Sequence, residues 1–448
     1  MNTLKKTLSL AAAMAVFMLS ACGGGGSGGS NNQGSNAVGW NATPEWTPHG
    51  AGTSGGSGNS SLPATGDNTV EVRVDNSMGS INMLKASIKV CVPGTQSPQG
   101  TQSTPGTQTP PQCVTVDNLL VDTGSTGVRI AARAIPTLAP LLLTQVGAVD
   151  DTSGSAPIVE CMPFASGYTW GSVKRADITI GSKTASNLPI QIYADGAYPT
   201  PDDCSNYGAD IGAGALAGVN GILGIDNFAS DSADAVTTAI PGNYYYCPSQ
   251  NSCTSTRMLA GKEVRNPIVA FAADNNGAII RLPAVPAGGQ TSVTGQLVFG
   301  IGTQQNNVMP TTTTVLAVDK YGNFTTQYQG RAFTRSAIDS GTNSYAFADD
   351  TIPATADDWY IPAAPLNLSA TLESTNGAGK PVNMPFTVAD PRALRSAGYN
   401  ALSNAGSYFA YHKGGMFLWG LPFFYGRDVY TAIGNVKIGN QSGPFVAF

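Results

Sequence analysis

Short segments that alternate apolar and polar residues recur along the chain from about residue 70 to its end. Residues 70–74 read VEVRV, and the same period of two returns in residues 176–180, which read ADITI. An alternation of this kind is typical of β-strands that bury one face and expose the other. The pattern predicts a mostly β protein built from many short strands.

Other segments of the sequence predict a hairpin, one helix and further strands. Residues 86–90 and 114–116 read as the two arms of a hairpin around an insertion rich in Gln, Thr, Pro and Gly. One helix is predicted, over residues 391–399, with Asp390 as its N-cap. Further strands are predicted where apolar residues cluster between turn residues, at 119–121, 221–225, 295–300, 324–328, 336–338, 416–420 and 430–433.

Composition agrees with short strands joined by turns. Only 11% of the 448 residues are charged, whereas the chain has 54 Gly and 29 Pro. Residues that favour turns interrupt long amphipathic helices, so this balance favours β structure. The formal net charge is −5 and no basic run occurs, which argues against nucleic acid as a partner.

The N-terminus carries a targeting signal. Lys5 and Lys6 precede an apolar stretch, residues 8–19, that is too short to span a bilayer. The stretch ends in Leu-Ser-Ala-Cys22, which resembles the lipobox of bacterial lipoproteins. The resemblance implies a signal peptide over residues 1–21 and lipidation of Cys22. An ordinary secretory signal followed by an incidental cysteine is the alternative.

The expected location follows from the same segment. Gly23, in place of an Asp, follows Cys22, which by resemblance to enterobacterial sorting implies the outer membrane of the cell envelope, on either face. Residues 22–67 are rich in Gly, Ser, Asn and Pro, and such a tract cannot bury enough apolar surface to fold. We therefore expect a stalk that tethers a folded body, residues 68–448, to the membrane.

Six cysteines remain in the predicted folded body. An even number in an exported chain indicates three disulfides, for which fifteen connectivities exist. The sequence has no C-x-x-C and only two His, His49 and His412, so a metal site is the weaker interpretation. The pairing we favour is Cys91–Cys113 at the base of the hairpin insertion, Cys161–Cys204, and Cys247–Cys253 around a tight loop.

Two short motifs carry the candidate chemistry. Asp122 follows the apolar run Leu-Leu-Val and begins Asp-Thr-Gly-Ser, while Asp339 follows Ser-Ala-Ile and begins Asp-Ser-Gly-Thr. The two aspartates lie 217 residues apart (339 − 122), one in each half of the folded body. Two carboxyl groups held close together share one proton, so one acts as a base and the other as an acid. Around them we expect the motif residues Thr123, Gly124, Ser125, Ser340, Gly341 and Thr342 to support the pair.

The two motifs resemble the active-site loops of pepsin-like aspartic proteases. They are also similar to motifs in a family of bacterial lipoproteins that carry VDTGSTG and IDSG. The resemblance implies a bilobal pepsin-like acid protease fold with two related β-barrel lobes, residues 68–308 and 309–448, and an active-site cleft between them. It implies that Thr123 and Ser340 bond across the lobes and that Ser125 and Thr342 bond the outer carboxylate oxygens.

The resemblance also implies a flap over the cleft. Residues 168–173, reading YTWGSV, are similar to the flap hairpin. The resemblance implies Tyr168, Gly171 and Ser172 as flap and substrate residues. Trp170 is the alternative to Tyr168 as the aromatic residue that closes over substrate. One departure stands out, because Arg129 occupies a position where many pepsin relatives have Trp.

Two functions fit these features. The first is an endopeptidase that hydrolyses a polypeptide substrate with water activated between Asp122 and Asp339, without a cofactor or metal. The second is a non-catalytic protein that holds a peptide-like ligand, a glycan or a protein partner in the cleft. A Ser/His/Asp triad is not supported, because no G-x-S-x-G occurs in the predicted folded body that contains His412. We expect a monomer, held at the membrane through Cys22.

Overall fold

The computed structural model describes residues 66–95, 112–212, 218–410 and 415–448. Cys22, His49, His412, the signal peptide and nearly all of the predicted stalk lie outside these ranges. The described residues are mainly strands, with two short α-helices, α1 (Asp202–Ser205) and α2 (Arg392–Ser396). The mostly β prediction is confirmed. Among the described helices, none has the length and apolar character needed to cross a membrane.

The strands fall into two groups along the chain. Before residue 308 they are β1 (Thr69–Val74), β2 (Leu84–Cys91), β3 (Cys113–Asp122), β4 (Thr126–Ala131), β5 (Leu143–Thr144), β6 (Ile158–Phe164), β7 (Gly167–Ile180), β8 (Lys183–Tyr193), β9 (Gly221–Ile225), β10 (Tyr244–Ser249), β11 (Ser252–Ser255), β12 (Gly277–Leu282) and β13 (Val293–Phe299). After residue 308 they are β14 (Val315–Ala317), β15 (Phe324–Tyr328), β16 (Arg331–Ile338), β17 (Tyr345–Phe347), β18 (Leu366–Glu373), β19 (Val382–Val388), β20 (Gly406–Tyr408), β21 (Met416–Trp419), β22 (Arg427–Ala432), β23 (Lys437–Ile438), β24 (Gln441–Ser442) and β25 (Phe445–Ala447).

Each predicted strand overlaps an observed one, whereas the predicted helix is too long. Helix α2 ends at Ser396, because Gly398 adopts a left-handed φ of 83° and its N–H closes a turn on the Arg395 carbonyl oxygen. The N-cap is Pro391 rather than Asp390. The Asp390 carboxylate nevertheless accepts the Arg392 N–H at 2.9 Å, two residues further along the chain, as an N-cap side chain does.

The first lobe contains a characteristic crossing of four strands. They lie in the order β8-β4-β9-β3 within a 16-stranded sheet. Strand β9 is parallel to β3 and antiparallel to β4, and β4 is parallel to β8. Strand β9 is therefore inserted between β3 and β4, the two strands that flank the loop after Asp122.

The second lobe repeats this crossing. Its seven-stranded sheet contains the order β20-β17-β21-β16. Strand β21 is parallel to β16 and antiparallel to β17, and β17 is parallel to β20. The order and all three directions match those of the first lobe, so the chain folds as two related β lobes. This is the bilobal architecture of the pepsin-like acid proteases.

One sheet joins the two halves of the chain. The first-lobe path continues through β1, β13 and β12 to β22, β25 and β14. Strands from beyond residue 309 thus pair directly with a strand from before residue 308, Gly277 opposite Ala432 being one such pair. The lobe boundary near residue 308 stays a prediction.

The three disulfides have the predicted pairing. Cys91–Cys113 joins facing residues of β2 and β3, the arms of the predicted hairpin. Cys161–Cys204 ties β6 to α1, and Cys247–Cys253 joins β10 to β11. The last two bonds lie in one buried cluster beside Tyr245, so they reinforce the same side of the first lobe.

Candidate active site

The position of Asp122 is set by the strand crossing of the first lobe. Asp122 ends β3 and lies opposite Gly224 of β9. A Cβ on Gly224 would come within 2.7 Å of the carbonyl oxygens of Ser125 and Gly127. Because glycine allows this close approach, β9 packs directly under the loop that follows Asp122, residues 122–126, here called the first loop.

Asp339 occupies the equivalent place in the second lobe. It follows Ile338, the last residue of β16, and its N–H donates to the Trp419 carbonyl oxygen at 3.0 Å. Gly420 is the counterpart of Gly224, since a Cβ there would collide with the carbonyl oxygens of Thr342 and Ser344. The loop of residues 339–343 is here called the second loop.

The two aspartates have matching hydrogen bonds. Asp122 accepts the Gly124 N–H at 2.7 Å on one oxygen and the Ser125 hydroxyl at 2.5 Å on the other. Asp339 accepts the Gly341 N–H at 2.8 Å on one oxygen, and the Thr342 hydroxyl at 2.6 Å on the other. The Ser125 and Thr342 hydroxyl groups therefore fix the orientation of the two carboxyl groups.

Four hydrogen bonds tie the two loops to each other. The Thr123 N–H donates to the Ser340 hydroxyl at 3.1 Å, and the Ser340 N–H donates to the Thr123 hydroxyl at 3.0 Å. Each hydroxyl then donates to a carbonyl oxygen of the opposite lobe, Ile338 for Thr123 at 3.1 Å and Val121 for Ser340 at 2.8 Å. The network is symmetric, so it holds both loops at a fixed separation.

The glycines of the two motifs lie against the opposite carboxyl groups. A Cβ on Gly124 would lie 2.6 Å from Cγ of Asp339, and one on Gly341 would lie 2.6 Å from Oδ1 of Asp122. Any larger residue would therefore separate the two lobes at this point. The structure brings Asp122 and Asp339 together as a carboxyl pair, and the pair is fully buried.

Burial raises the pKa of both members of the carboxyl pair. Burial raises the pKa of Asp122, but the Ser125 hydroxyl and the hydrogen bond with Asp339 lower that pKa in part. Burial and then the negative charge of Asp122 raise the pKa of Asp339 well above its usual value. Two buried carboxyl groups that interact in this way titrate as one pair, which holds a single shared proton.

A third carboxyl group, which the sequence did not indicate, lies behind the first loop. Asp226 follows β9 and accepts the Thr126 hydroxyl at 2.6 Å and the Phe228 N–H at 3.0 Å. Burial raises its pKa to about 7, and the Asp122 charge adds to that rise. Asp226 therefore carries a proton in acid solution and loses it near neutral pH.

A buried ion-pair network also lies behind the first loop. The guanidinium of Arg129 donates to the Thr126 carbonyl oxygen at 2.5 Å. It also pairs with Glu160 of β6 at 2.6 Å and with Asp231 at 2.8 Å. Arg129 was noted from the sequence only as a departure from the pepsin pattern. Its place between apolar Val128 and Ile130 was the signal, because a buried arginine requires acidic partners.

Asn82 supports the second loop from the first lobe. Its side chain donates to the carbonyl oxygens of Asn343 and Leu402, at 2.9 Å each. The same side chain accepts the Leu402 N–H and the Tyr425 hydroxyl, both at 2.8 Å. Asn82 has a left-handed φ of 52°, which asparagine tolerates better than most residues. This side chain is a second brace between the lobes, and no local motif predicted it.

The predicted flap is the hairpin of β6 and β7, but its residues lie differently from the expectation. Tyr168 faces Pro163 across the ladder and packs with Trp170 and the Cys161–Cys204 disulfide. Directly paired residues share a face, so Tyr168 and Trp170 lie opposite the face that carries Glu160. The structure does not bring either aromatic ring to the carboxyl pair.

Gly171 and Ser172 lie inside strand β7, away from the hairpin turn. A Cβ on Gly171 would collide with the Ile192 carbonyl oxygen, so this glycine allows β8 to approach. The Ser172 N–H donates to the Asp195 carboxylate at 3.2 Å. The face toward the first lobe instead carries Met162 and Phe164, which pack in one cluster with Leu120.

The turn of the hairpin reaches the second lobe. Ala165, in the turn between β6 and β7, packs against a cluster formed by Ala346, Met416 and Leu418. The hairpin therefore spans from the first lobe to the second. This contact and the complete burial of the carboxyl pair indicate that the cleft between the lobes is closed.

In the ranges that the structure covers, no group of three or more His, Cys, Asp and Glu side chains could hold a metal ion. The carboxyl pair is surrounded by hydroxyl and N–H donors instead. Such donors stabilise carboxylate charge directly.

Comparisons with known proteins give a family and similarity to solved structures. Residues 64–448 match the family described as "Protein of unknown function (DUF3443)", and the chain belongs to that family. None of the curated proteins that were compared matches the chain. Among solved structures, the chain is similar to an aspartic proteinase from Irpex lacteus. The sequence identity is 16%, the match covers 85% of this chain and 96% of the other, and the TM-score is 0.44.

Proposed function

We propose that this member of the DUF3443 family is an aspartic endopeptidase that hydrolyses peptide bonds between its two lobes. The observation that carries the proposal is the carboxyl pair with its symmetric surroundings. Asp122 and Asp339 each accept one backbone N–H and one hydroxyl, and Thr123 and Ser340 bond the two loops to each other. A buried pair that shares one proton supplies a base and an acid at one place.

The proposed reaction assigns different roles to the two aspartates. Ionised Asp122 takes a proton from a water molecule, whose oxygen bonds to the peptide carbonyl carbon. Protonated Asp339 donates its proton to the carbonyl oxygen, which gives a tetrahedral diol. Asp122 then returns its proton to the amide nitrogen as the C–N bond breaks, and the re-forming carbonyl returns a proton to Asp339. The balance is one water consumed for one peptide bond, and no cofactor takes part.

Substrate entry requires the hairpin of β6 and β7 to open. In the closed cleft Ala165 contacts the second lobe and both carboxyl groups are buried. An extended polypeptide has the shape that suits a space between a hairpin and two loops, because its backbone groups can bond to strand edges. We therefore propose polypeptide segments without stable tertiary structure as the substrate class.

The proposed setting is the bacterial cell envelope. The lipobox-like sequence at Cys22 and the tract of residues 22–67 support a lipid anchor, which we place at the outer membrane, and we take the anchored protein to be a monomer. An anchored peptidase would act on exposed polypeptide within reach of its stalk.

A second candidate is a binding protein that holds a peptide-like ligand, a glycan or a protein partner without hydrolysis. The observation that favours it is the closed cleft, with the carboxyl pair fully buried. The endopeptidase is favoured because both carboxyl groups keep their hydroxyl partners, Ser125 and Thr342. A binding protein would need neither the carboxyl groups nor these hydrogen bonds.

A peptide library separates the two candidates. The full chain is incubated with the library between pH 4 and pH 7, and new termini are identified by mass spectrometry. The peptidase proposal predicts internal cleavage that a statine-type analogue of the tetrahedral diol suppresses. Saturable peptide binding without any new termini would support the binding protein instead.

A further inference from the structure

Three cationic side chains line a hollow on the first lobe. The hollow has a volume of about 190 Å³ and lies between strands β7 and β8 and the segment of residues 259–265. Its cations are Arg175, Lys262 and Arg265, and no acidic residue of the described ranges lines it. Pockets for drug-sized ligands have volumes of about 300–1,000 Å³. This smaller hollow, here called the basic hollow, therefore suits one small anionic group.

One wall of the basic hollow is a row of paired residues. Arg175 of β7 lies directly opposite Leu143 of β5 on one side and Pro189 of β8 on the other. Directly paired residues share a face of a sheet. The Arg175 side chain therefore lies on the same face as the leucine and the proline.

The other wall is the segment of residues 259–265, which crosses this row. The Lys262 carbonyl oxygen accepts the Gln145 side-chain amide at 2.9 Å, and the Arg265 N–H donates to the Pro189 carbonyl oxygen at 3.4 Å. These hydrogen bonds connect the two walls at both ends of the row. The basic hollow is therefore a fixed part of the first lobe.

The charges in the basic hollow are unpaired. Within the described ranges, none of the three cations forms an ion pair. The Nε atom of Arg175 is also buried and has no hydrogen-bond partner in those ranges. Buried donors are nearly always bonded, so this one favours an acceptor that a ligand supplies.

Acidic side chains of the adjoining segments lie outside the basic hollow. Glu263 is buried and does not line it. Asp150 is paired with Arg257 at 2.6 Å, and Asp151 accepts the Ala156 N–H at 2.8 Å. The positive charge of the basic hollow thus remains, although the chain as a whole has a formal net charge of −5.

Exposed apolar side chains flank the basic hollow. Six large hydrophobic side chains are exposed in the described ranges, and four of them belong to its two flanking segments. Leu143, opposite Arg175, is 41% exposed, and Leu259 is 50% exposed. The Leu259 N–H donates to the Gly147 carbonyl oxygen at 2.8 Å, so the two flanking segments lie side by side. The other two exposed side chains are Leu141 and Val149.

We propose that this face of the first lobe docks on a membrane surface, with the phosphate group of an anionic phospholipid in the basic hollow. Arginine and lysine bind phosphate oxygens through charge-assisted hydrogen bonds, which are stronger than neutral ones. An anionic bilayer surface attracts such cations, and the exposed leucines leave water for the boundary of the acyl chains. The docking surface does not include the carboxyl pair, so it is independent of the proposed peptidase.

A phospholipid matches both features of this face. A free phosphate ester would use the three cations but would leave the four apolar side chains in water. A protein partner would cover the apolar side chains, but the centres of protein interfaces are poor in lysine and in unpaired charge. A phospholipid carries its phosphate group directly beside its acyl chains, which is the arrangement of the basic hollow and its flanking leucines.

A tryptophan at this face reports contact with lipid. The full chain with Leu143→Trp is mixed with vesicles whose acyl chains carry bromine, which quenches tryptophan fluorescence on contact. One set of vesicles is phosphatidylcholine alone, and the other also contains phosphatidylglycerol. The wild type supplies the background of the five native tryptophans. Val308→Trp is the matched control, because Val308 is 59% exposed and lies between β13 and β14, in neither wall of the hollow.

Removal of charge tests the phosphate contact. Lys262→Gln/Arg265→Gln is added to the Leu143→Trp chain, and the control adds Lys380→Gln/Lys437→Gln, two exposed cations of the second lobe. Both pairs of substitutions remove the same charge. We expect quenching at position 143 with phosphatidylglycerol vesicles, and we expect the first pair to lower it by more than half. The reason is that each cation near an anionic surface strengthens binding about fivefold. The control pair should leave the quenching unchanged.

The outcomes decide between lipid and other occupants. Quenching that is equal with and without phosphatidylglycerol, or equal in both charge variants, overturns the proposal. A chain that shows no quenching above the wild-type background also overturns it, and binding of glycerol phosphate by that chain would indicate a free phosphate ester as the occupant. Unfolding curves show that each variant is folded, and Leu259→Trp replaces Leu143→Trp if the latter does not fold. None of these measurements uses peptide cleavage, so their result is separate from that of the proposed function.

Discussion

At the scale of single residues, Thr126 joins two polar groups behind the first loop. Its hydroxyl donates to Asp226 and its carbonyl oxygen accepts from Arg129. Buried polar groups are costly unless each has a partner, so these contacts fix the position of the loop. The residue next to Ser125 therefore carries part of the support for Asp122.

Replacement of Asp226 by Asn should remove a pH dependence of stability. The pKa of Asp226 is about 7 in the folded chain, against 3.8 as the ordinary value. A raised acid pKa means that the folded state binds the proton more tightly, so stability is complete below about pH 4 and falls as the pH rises through 7. The full loss is about 4 kcal/mol. Asn keeps the acceptor for Thr126 and does not ionise.

The measurement is the free energy of unfolding in denaturant at pH 4.5 and pH 8, for the wild type and Asp226→Asn. Between these pH values, we expect the free energy of unfolding of the wild type to fall by about 2–4 kcal/mol more than that of the variant. Asp390→Asn is the control, because Asp390 is paired with Arg392 at the surface. An equal pH dependence in wild type and Asp226→Asn contradicts the buried, protonated Asp226.

At the scale of elements, the sequence predicted the parts of the site that are local. An apolar strand followed by Asp, a hydroxyl residue and Gly can be recognised within ten residues of sequence. This pattern predicted both loops. The five residues of β9 were found because an apolar run was bounded by glycines. The pairing of Cys91 with Cys113 followed from the two arms of one hairpin.

The parts that were missed depend on contacts between distant segments. Glu160 and Asp231 lie 31 and 102 residues from Arg129 along the chain, and neither belongs to a recognisable motif. Tyr168 lies on a strand of the predicted flap hairpin, but the face that it occupies depends on the register of β6 and β7. A change of one position reverses the face, and sequence alone does not fix that register.

The Cys161–Cys204 disulfide should stabilise the hairpin element strongly. It closes a segment of 43 residues, whereas Cys247–Cys253 closes 6. In the chain-entropy account, the longer loop contributes about 4 kcal/mol and the shorter about 2 kcal/mol. Cys161→Ser/Cys204→Ser should therefore lower the free energy of unfolding about 2 kcal/mol more than Cys247→Ser/Cys253→Ser.

Denaturant unfolding of both double variants under oxidising conditions tests this ranking. The second variant is a matched control, because both bonds lie in one buried cluster. A larger loss in the variant without Cys247 and Cys253 would contradict the assigned order.

At the scale of the whole molecule, the fold is a duplication with one candidate active site between its halves. Two equivalent strand crossings place Asp122 and Asp339 face to face, and the hydrogen bonds of Thr123 and Ser340 join them. The two halves differ behind their loops. The first has the buried cation Arg129 seven residues after Asp122, while the second has the apolar Ala346 seven residues after Asp339.

The most direct test of the central claim replaces each aspartate of the carboxyl pair separately. Asn preserves size and most hydrogen bonds but neither accepts nor supplies the proton. Peptide cleavage is measured for Asp122→Asn, Asp339→Asn and the surface control Asp390→Asn, with unfolding curves to show that each variant is folded. We predict that kcat falls about 10²- to 10⁴-fold in either pair variant and is unchanged in the control. Cleavage at the wild-type rate by a folded Asp122→Asn or Asp339→Asn protein would contradict the account.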